Sequence, residues 1–437
     1  MAPPRGATVV RRGYAFRLFS GGRRVYEMRK TRTRHVGTFL LAVAAATLVV
    51  VSPGTAARRA STLVIWVTAP QAPSIQTSAS AWGKTTVTLS VHDFASIRTE
   101  IQTVKPENAP DIVVGQNDWL ADLVPSGLLL PIYPSVAAKR QFPQYTLDAF
   151  SYGIALKKLY GAPYAFENVA LVVNTGLVKL PRTFAQLERE ALAFRKRKAG
   201  NLAIAVPQGT PNDAAYYTYP LFSGLGGYIF GKNKVALLDP SDIGVANRTL
   251  IANSPLIDKW NRERLIDSKV DYNTAKAAFL NKQAAFWITG PWESEALKAS
   301  GLKFKIIQVP KIKLASVPFL GVQGLMVTKY AASHGLDTLA RDFVSSYMMT
   351  PAAQLDLAKV NARIPANSRA ATTYNVTVQA KFGKAGLGGV PVPNLPQMSS
   401  VWTDLGLAWL KSTQGVGATR AQVAFKAAAR NIAEKTG

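Results

Sequence analysis

The sequence predicts an α/β protein built as two lobes. Three observations predict it. Short apolar runs rich in β-branched residues, among them Thr62–Val67, Val87–Val91 and Asp111–Val114, alternate with helical stretches from Thr62 onward. That alternation implies parallel sheets covered by helices. The chain has 437 residues, more than one compact core holds, and its number of strand–helix units fits two lobes better than one.

Helix signals follow the strands in order. One helix is expected near Asp118, stopped at Pro125-Ser126-Gly127, and others at Asp337–Met349 and from Thr350, with Pro351 in the first turn. A last helix is expected with Thr419 as its cap. No solenoid-type repeat is present.

Composition narrows the function. Apolar residues make up 48% and charged residues 18%, as in an ordinary soluble globular chain. There is no cysteine, which excludes disulfides, a thiolate zinc site, a cysteine nucleophile and a lipidated N-terminal cysteine. The formal charge is +27, but residues 1–60 carry twelve Lys/Arg against the single acid Glu27, so +11 of it is local. No dense basic run interleaved with aromatics follows, and nucleic acid is not an expected partner. His35, His92 and His334 are far apart and lack metal-ligand spacing. Gly224–Gly227 and Gly386–Gly389 lack the Lys-Ser/Thr of a phosphate loop and read as turns, so no metal or cofactor is expected.

Val36–Val51 is an uncharged apolar run behind the basic segment Met28–His35 and ahead of the small residues Ser52–Ala57. That order is a secretory signal, with an uncleaved N-terminal anchor as the alternative. The expected location is therefore exported, periplasmic or cell-surface, with any membrane contact made through this segment. The 27 residues ahead of Met28 are long for such a leader, and translation is expected to start at Met28.

In open α/β sheets ligands bind beyond the carboxyl ends of strands, and pockets favour domain interfaces. Aromatic and acidic residues follow strands at several such places: Asp118 and Trp119 after DIVV, Glu167 after Pro163–Phe166, and Trp292 after Ala284–Ile288. Tyr216, Tyr217 and Trp402 complete the candidate set. A pyranose offers an apolar C–H face to an aromatic ring and a rim of hydroxyls to carboxylates, so these residue types together suit a sugar. Each tryptophan taken singly also fits a core position. Asp118 also fits a helix cap, and Glu167 a solvated surface acid.

The segments TLVIWV, APDIVVGQNDWLADLVPSGLL, YGAPYAFENVALVVNTGLV, YYTYPLFSGLGGYIF, DYNTAKAAFLNKQAAFWITGPW, VPFLGVQG and PNLPQMSSVW resemble the maltose/maltodextrin-binding protein family, in its order and spacing. The resemblance runs from Thr62 nearly to the C-terminus. It implies a two-lobed periplasmic-binding-protein-like α/β fold with lobes joined by crossing strands. One lobe would comprise 62–165 and 325–372, the other 170–319 and 378–437, behind a basic signal or anchor segment at 1–61. It implies an extracytoplasmic substrate-binding protein of an ABC importer, monomeric, closing by a hinge on a neutral oligosaccharide and recognised by the importer's transmembrane subunits. It also implies that Tyr216, Trp292 and Trp402 stack on glucose rings while Asp118 and Glu167 accept sugar hydroxyls.

The departures fall on one side. The family's early acid–base pair falls near Pro70 and Gln71, a stacking tryptophan on Gly115, an arginine on Trp119, and a binding glutamate on Ala214. Trp119 is expected to replace the ring missing at Gly115. Trehalose, another disaccharide or a polyol is the alternative ligand. A glycoside hydrolase using Asp118 and Glu167 as its carboxylate pair is the rival activity.

Overall fold

Alternation decides how the strands are buried. In Thr62–Val67, Leu63, Ile65 and Val67 enter one apolar cluster while Trp66 enters another on the opposite face. In Ala170–Asn174, Leu171 and Val173 face one core and Ala170 and Val172 a second. Both sheets are thus covered on two sides, which is why their strands read as continuous apolar runs. The computed structural model describes residues 62–436, except 154–156, 234–237, 362 and 375–376. The signal or anchor expected at Val36–Val51, and His35 with it, lie outside the described residues. Among the described residues no helix is long and apolar enough to cross a membrane.

The larger sheet has eight strands. Its main path runs Ile364–Pro365, Gly161–Glu167, Phe319–Thr328, Ile112–Gln116, Thr62–Val67 and Thr86–Val91. The smaller sheet orders Phe286–Thr289, Ala170–Asn174 and Phe304–Ile307. The expected parallel sheets are mixed instead. Thr62–Val67 pairs in parallel with both neighbours, but Phe319–Thr328 is antiparallel to Ile112–Gln116 and to Gly161–Glu167, and the three strands of the smaller sheet pair antiparallel, with a parallel bridge from Trp287 to Ala205 at its edge. The reason is the crossing. Phe319–Thr328 starts in the core of the smaller sheet, at Phe319, and ends in that of the larger one, at Leu325 and Val327, so it enters against the local strand direction. Gly161–Glu167 leads the other way through Asn168 and Val169 into Ala170–Asn174.

Three helix expectations are refined. Asp118 lies in a 3-10 turn, Asn117–Trp119, before the helix Leu120–Leu123. The stretch expected as one helix from Asp337 is α-helical to Arg341 and π-helical over Asp342–Tyr347, where the Met348 N–H reaches the Phe343 carbonyl. The last helix, Ala421–Thr436, is capped by Asp258 of another helix, whose carboxylate accepts from the Ala421 N–H at 2.8 Å, and not by Thr419.

Candidate ligand cleft

One wall of the cleft is aromatic. Helix Pro211–Tyr217 opens with Thr210 accepting from the Asp213 N–H and Pro211 in its first turn, and it ends on Tyr216 and Tyr217. Trp292 follows Gly290, and a Cβ on Gly290 would lie 2.2 Å from the indole, so only glycine lets the ring lie over the backbone there. Trp402 stands on helix Met398–Ser412, which begins just after PNLP. The rings converge. Tyr216 lies 6.2 Å from Trp292, 6.4 Å from Trp402 and 6.4 Å from Phe319, which meets Trp402 edge-on at 5.5 Å. Tyr217 sits behind, edge-on to Trp292 at 6.1 Å, and is buried. Trp292 is braced by Tyr272, whose hydroxyl takes the indole N–H and donates to the buried Glu293, itself 3.0 Å from Lys276.

The other wall is polar. Glu167, 5% exposed, ends strand Gly161–Glu167. Its Oε2 accepts from Arg363 Nε at 2.6 Å, and its Oε1 accepts from the side-chain amides of Gln116 and Gln323, both at 3.3 Å. Gln323 Oε1 accepts in turn from Tyr164 at 2.5 Å and Gln71 at 3.0 Å, and Gln71 Oε1 accepts the Thr68 N–H. Burial pushes the Tyr164 hydroxyl up to about 12. Apart from the buried Tyr164, these residues, with Pro70, His92 and Asp93, line a cavity of about 520 Å³. That size suits a small organic ligand. A larger outer groove of about 650 Å³, including Tyr133, Lys139 and Lys158, shares no lining residue with it.

Asp118 stands beside the aromatic wall. It is 5% exposed, with Arg98 at 3.5 Å, and the Trp402 indole N–H is directed at its carboxyl. Burial holds the Asp118 carboxyl above its ordinary value, opposed but not cancelled by Arg98 and Trp402. Its Oδ1 and the Tyr216 hydroxyl are buried without a hydrogen-bond partner. Burial also drives the Tyr216 hydroxyl far above its usual value. Two unsatisfied polar atoms beside half-buried rings are what a hydroxyl-bearing ligand would complete.

The sequence profile described as a bacterial extracellular solute-binding protein matches residues 79–384. The chain belongs to that family. The galactooligosaccharide-binding protein of Bacillus subtilis is 27% identical over 364 residues, covering 79% of this chain and 83% of that one. The maltodextrin-binding protein of the same organism is 28% identical over 344 residues, covering 75% and 79%. In three dimensions the chain resembles the Thermus thermophilus maltotriose-binding protein bound with maltotriose, with a TM-score of 0.73 and 24% identity over 86% of this chain and all of that one. That likeness bears out the two-lobed fold.

Within this solute-binding protein the predicted residues separate. Tyr216, Trp292 and Trp402 come together with Asp118, and Glu167 acts on the Tyr216 hydroxyl, but neither the three rings nor Asp118 line the 520 Å³ cavity beside Glu167. Tyr217 lies in the row behind. Trp119 departs from expectation. Its indole does cover Gly115, where a Cβ would lie 2.1 Å from it, but the residue is 3% exposed and belongs to the cluster of Ile97, Ile101 and Phe150. It has no open face for a ligand, because the side-chain-free Gly115 draws the ring inward. Ala214, where the family has a glutamate, is fully buried. Sequence reasoning missed Phe319, Gln116, Gln323, Arg98 and Arg363. Phe319 and Gln323 lie in the VPFLGVQG segment and Gln116 in APDIVVGQNDWLADLVPSGLL, whereas Arg98 and Arg363 lie outside every such segment.

Proposed function

We propose that this protein captures a neutral gluco-oligosaccharide and presents it to the membrane subunits of an ABC importer, outside the cytoplasm. The observation that carries the reading is the meeting of three stacking rings, Tyr216, Trp292 and Trp402, with the Asp118 carboxylate, one of whose oxygens is unpaired, as is the Tyr216 hydroxyl. Rings bury the apolar face of a pyranose and carboxylates take its hydroxyls, and a buried site of this kind rejects compounds lacking those hydroxyls. The names of the relatives, for maltodextrin, maltooligosaccharide and maltotriose, support the same ligand class. In this reading lobes 62–165 with 325–372 and 170–319 with 378–437 close by a hinge, and the protein acts as a monomer that binds without cleaving.

Galacto-configured oligosaccharide is the second reading, favoured by the altered polar wall and by the galactooligosaccharide-binding relative. Calorimetry with maltose, maltotriose, maltotetraose, a β-galactooligosaccharide, trehalose and a polyol decides. Saturable binding of maltotriose with quenching of tryptophan fluorescence is expected, with the sugar recovered intact. Heat from no glucoside would overturn the proposal, and binding of galactooligosaccharide alone would establish the second reading.

A further inference from the structure

The Arg363–Glu167 pair has no counterpart in the motifs that identify the aromatic wall, and its placement is a consequence of strand register. Ile364 pairs with Phe166 and Pro365 with Ala165 in antiparallel order. The next step of that register sets Arg363 opposite Glu167, although 196 positions separate them in the chain. Both groups are largely removed from water, with side chains 18% and 6% exposed, and both line the same cavity. An ionised carboxylate offers about four lone-pair sites. Oε1 takes the amides of Gln116 and Gln323 and Oε2 takes the guanidinium, which leaves one site on Oε2 for a ligand.

We propose that Arg363 is a positioning residue of the cleft: it fixes the orientation of the Glu167 carboxylate, so that its remaining lone pair stays available to a ligand hydroxyl. The proposal rests on the cleft being the ligand site. The other charged or titratable groups around Glu167 do not replace this cation. Tyr164, Tyr216 and Tyr217 interact with the carboxylate, and His92 and Asp93 also line the cavity, where His92 is held by Glu100 at 2.6 Å. Burial works against the charged guanidinium, and the adjacent Glu167 carboxylate, with Tyr164 and Tyr216, reverses that and raises its pKa. The pair itself carries no net charge, which suits an uncharged ligand.

The test compares wild type with Arg363→Met, Arg363→Lys, Glu167→Gln and the double variant Glu167→Gln/Arg363→Met. A carboxylate left buried without a cation takes up a proton more readily than in water. Its penalty is therefore complete at high pH and is relieved as pH falls toward the unfolded-state value of about 4.3. Without any ligand, the Tm deficit of Arg363→Met should shrink by about 2 °C or more from pH 8 to pH 5. The double variant should lose that pH dependence, and Arg363→Lys should show little of it. If Arg363→Met does not fold, the double variant should fold. Maltotriose affinity at pH 7.5 should fall about tenfold in Arg363→Met and recover to within about threefold in Arg363→Lys. A Tm deficit that is constant with pH, or a double variant no better than Arg363→Met, would reduce Arg363 to a structural residue and overturn the proposal. Wild type that binds no sugar would sink the sugar reading alone, because the thermal comparison needs no ligand.

Discussion

The two walls of the cleft are made by different means. On the aromatic wall, Tyr216, Trp292 and Trp402 each project from a helix or turn fixed by its own neighbours: Thr210 and Pro211 at one helix start, Gly290-Pro291 at the 3-10 turn, and PNLP ahead of Trp402. On the polar wall, Gln71, Gln116, Glu167, Gln323 and Arg363 come from five segments and meet only through the pairing of the large sheet. The aromatic wall offers area and shape, whereas the polar wall offers directed hydrogen bonds whose members depend on one another. Locally fixed rings should tolerate change in the sheet. A shared network should not.

Gly115 with Trp119 and Gly290 with Trp292 are the sharpest form of this contrast. In both an indole covers a glycine backbone, yet the first ring is sealed in a core and the second faces the cleft. Trp119→Ala should therefore act on the fold. Its expected cost is about 3–5 kcal/mol of stability, the range for emptying a large aromatic site, read from denaturant unfolding. Maltotriose affinity of the folded fraction should change less than about threefold. A stable Trp119→Ala protein with severely weakened binding would put the ring back in the ligand site and remove the asymmetry between the walls.

Trp402→Ala should do the reverse. The indole contributes ring area to the aromatic wall and an N–H to Asp118, so its loss should weaken binding by about 2–4 kcal/mol, roughly 30- to 700-fold by calorimetry. Trp292→Ala should weaken binding severely as well. It should also loosen Tyr272 and Glu293 behind it. Undiminished affinity in both variants would mean that the aromatic wall does not carry binding.

The same contrast explains what the sequence made legible. Strands, the two-lobed fold and the three converging rings could be read because each rests on neighbours close in the chain, such as Gly290 beside Trp292. Arg98 and Arg363 could not, because each finds its carboxylate only after folding, Arg98 by reaching Asp118 from another helix and Arg363 by strand register. Trp119 misled for a related reason. Position alone put it next to Asp118, but successive residues of a 3-10 turn point to different sides, one to the cleft and one to the core. The mixed sheet was hidden in the same way, since a strand's direction depends on which lobe the chain returns from.

The smallest effect calibrates the comparison of the walls by pH. His334 lies away from the cleft, with Nδ1 2.8 Å from Oδ1 of the fully buried Asp111 and Nε2 2.9 Å from the Pro106 carbonyl. Two acceptors, one on each ring nitrogen, favour the doubly protonated imidazolium. Partial burial opposes the charge, but Asp111 and the Pro106 carbonyl outweigh it and raise the pKa above the ordinary 6.5. A raised folded-state pKa gives stability that is complete below the unfolded value and lost as pH climbs through the folded one. His334→Gln should therefore cost about 0.5–1 kcal/mol at pH 5.5 and progressively less toward pH 8, read from urea midpoints. This trend runs opposite in cause to that of Arg363→Met, where the penalty comes from an unpaired carboxylate at high pH. Because His334 is present in both wild type and Arg363→Met, its contribution cancels in their difference. A His334→Gln deficit that grew with pH would show that the Asp111 site holds a neutral imidazole, and the pH trend of the polar wall would then need a different reference.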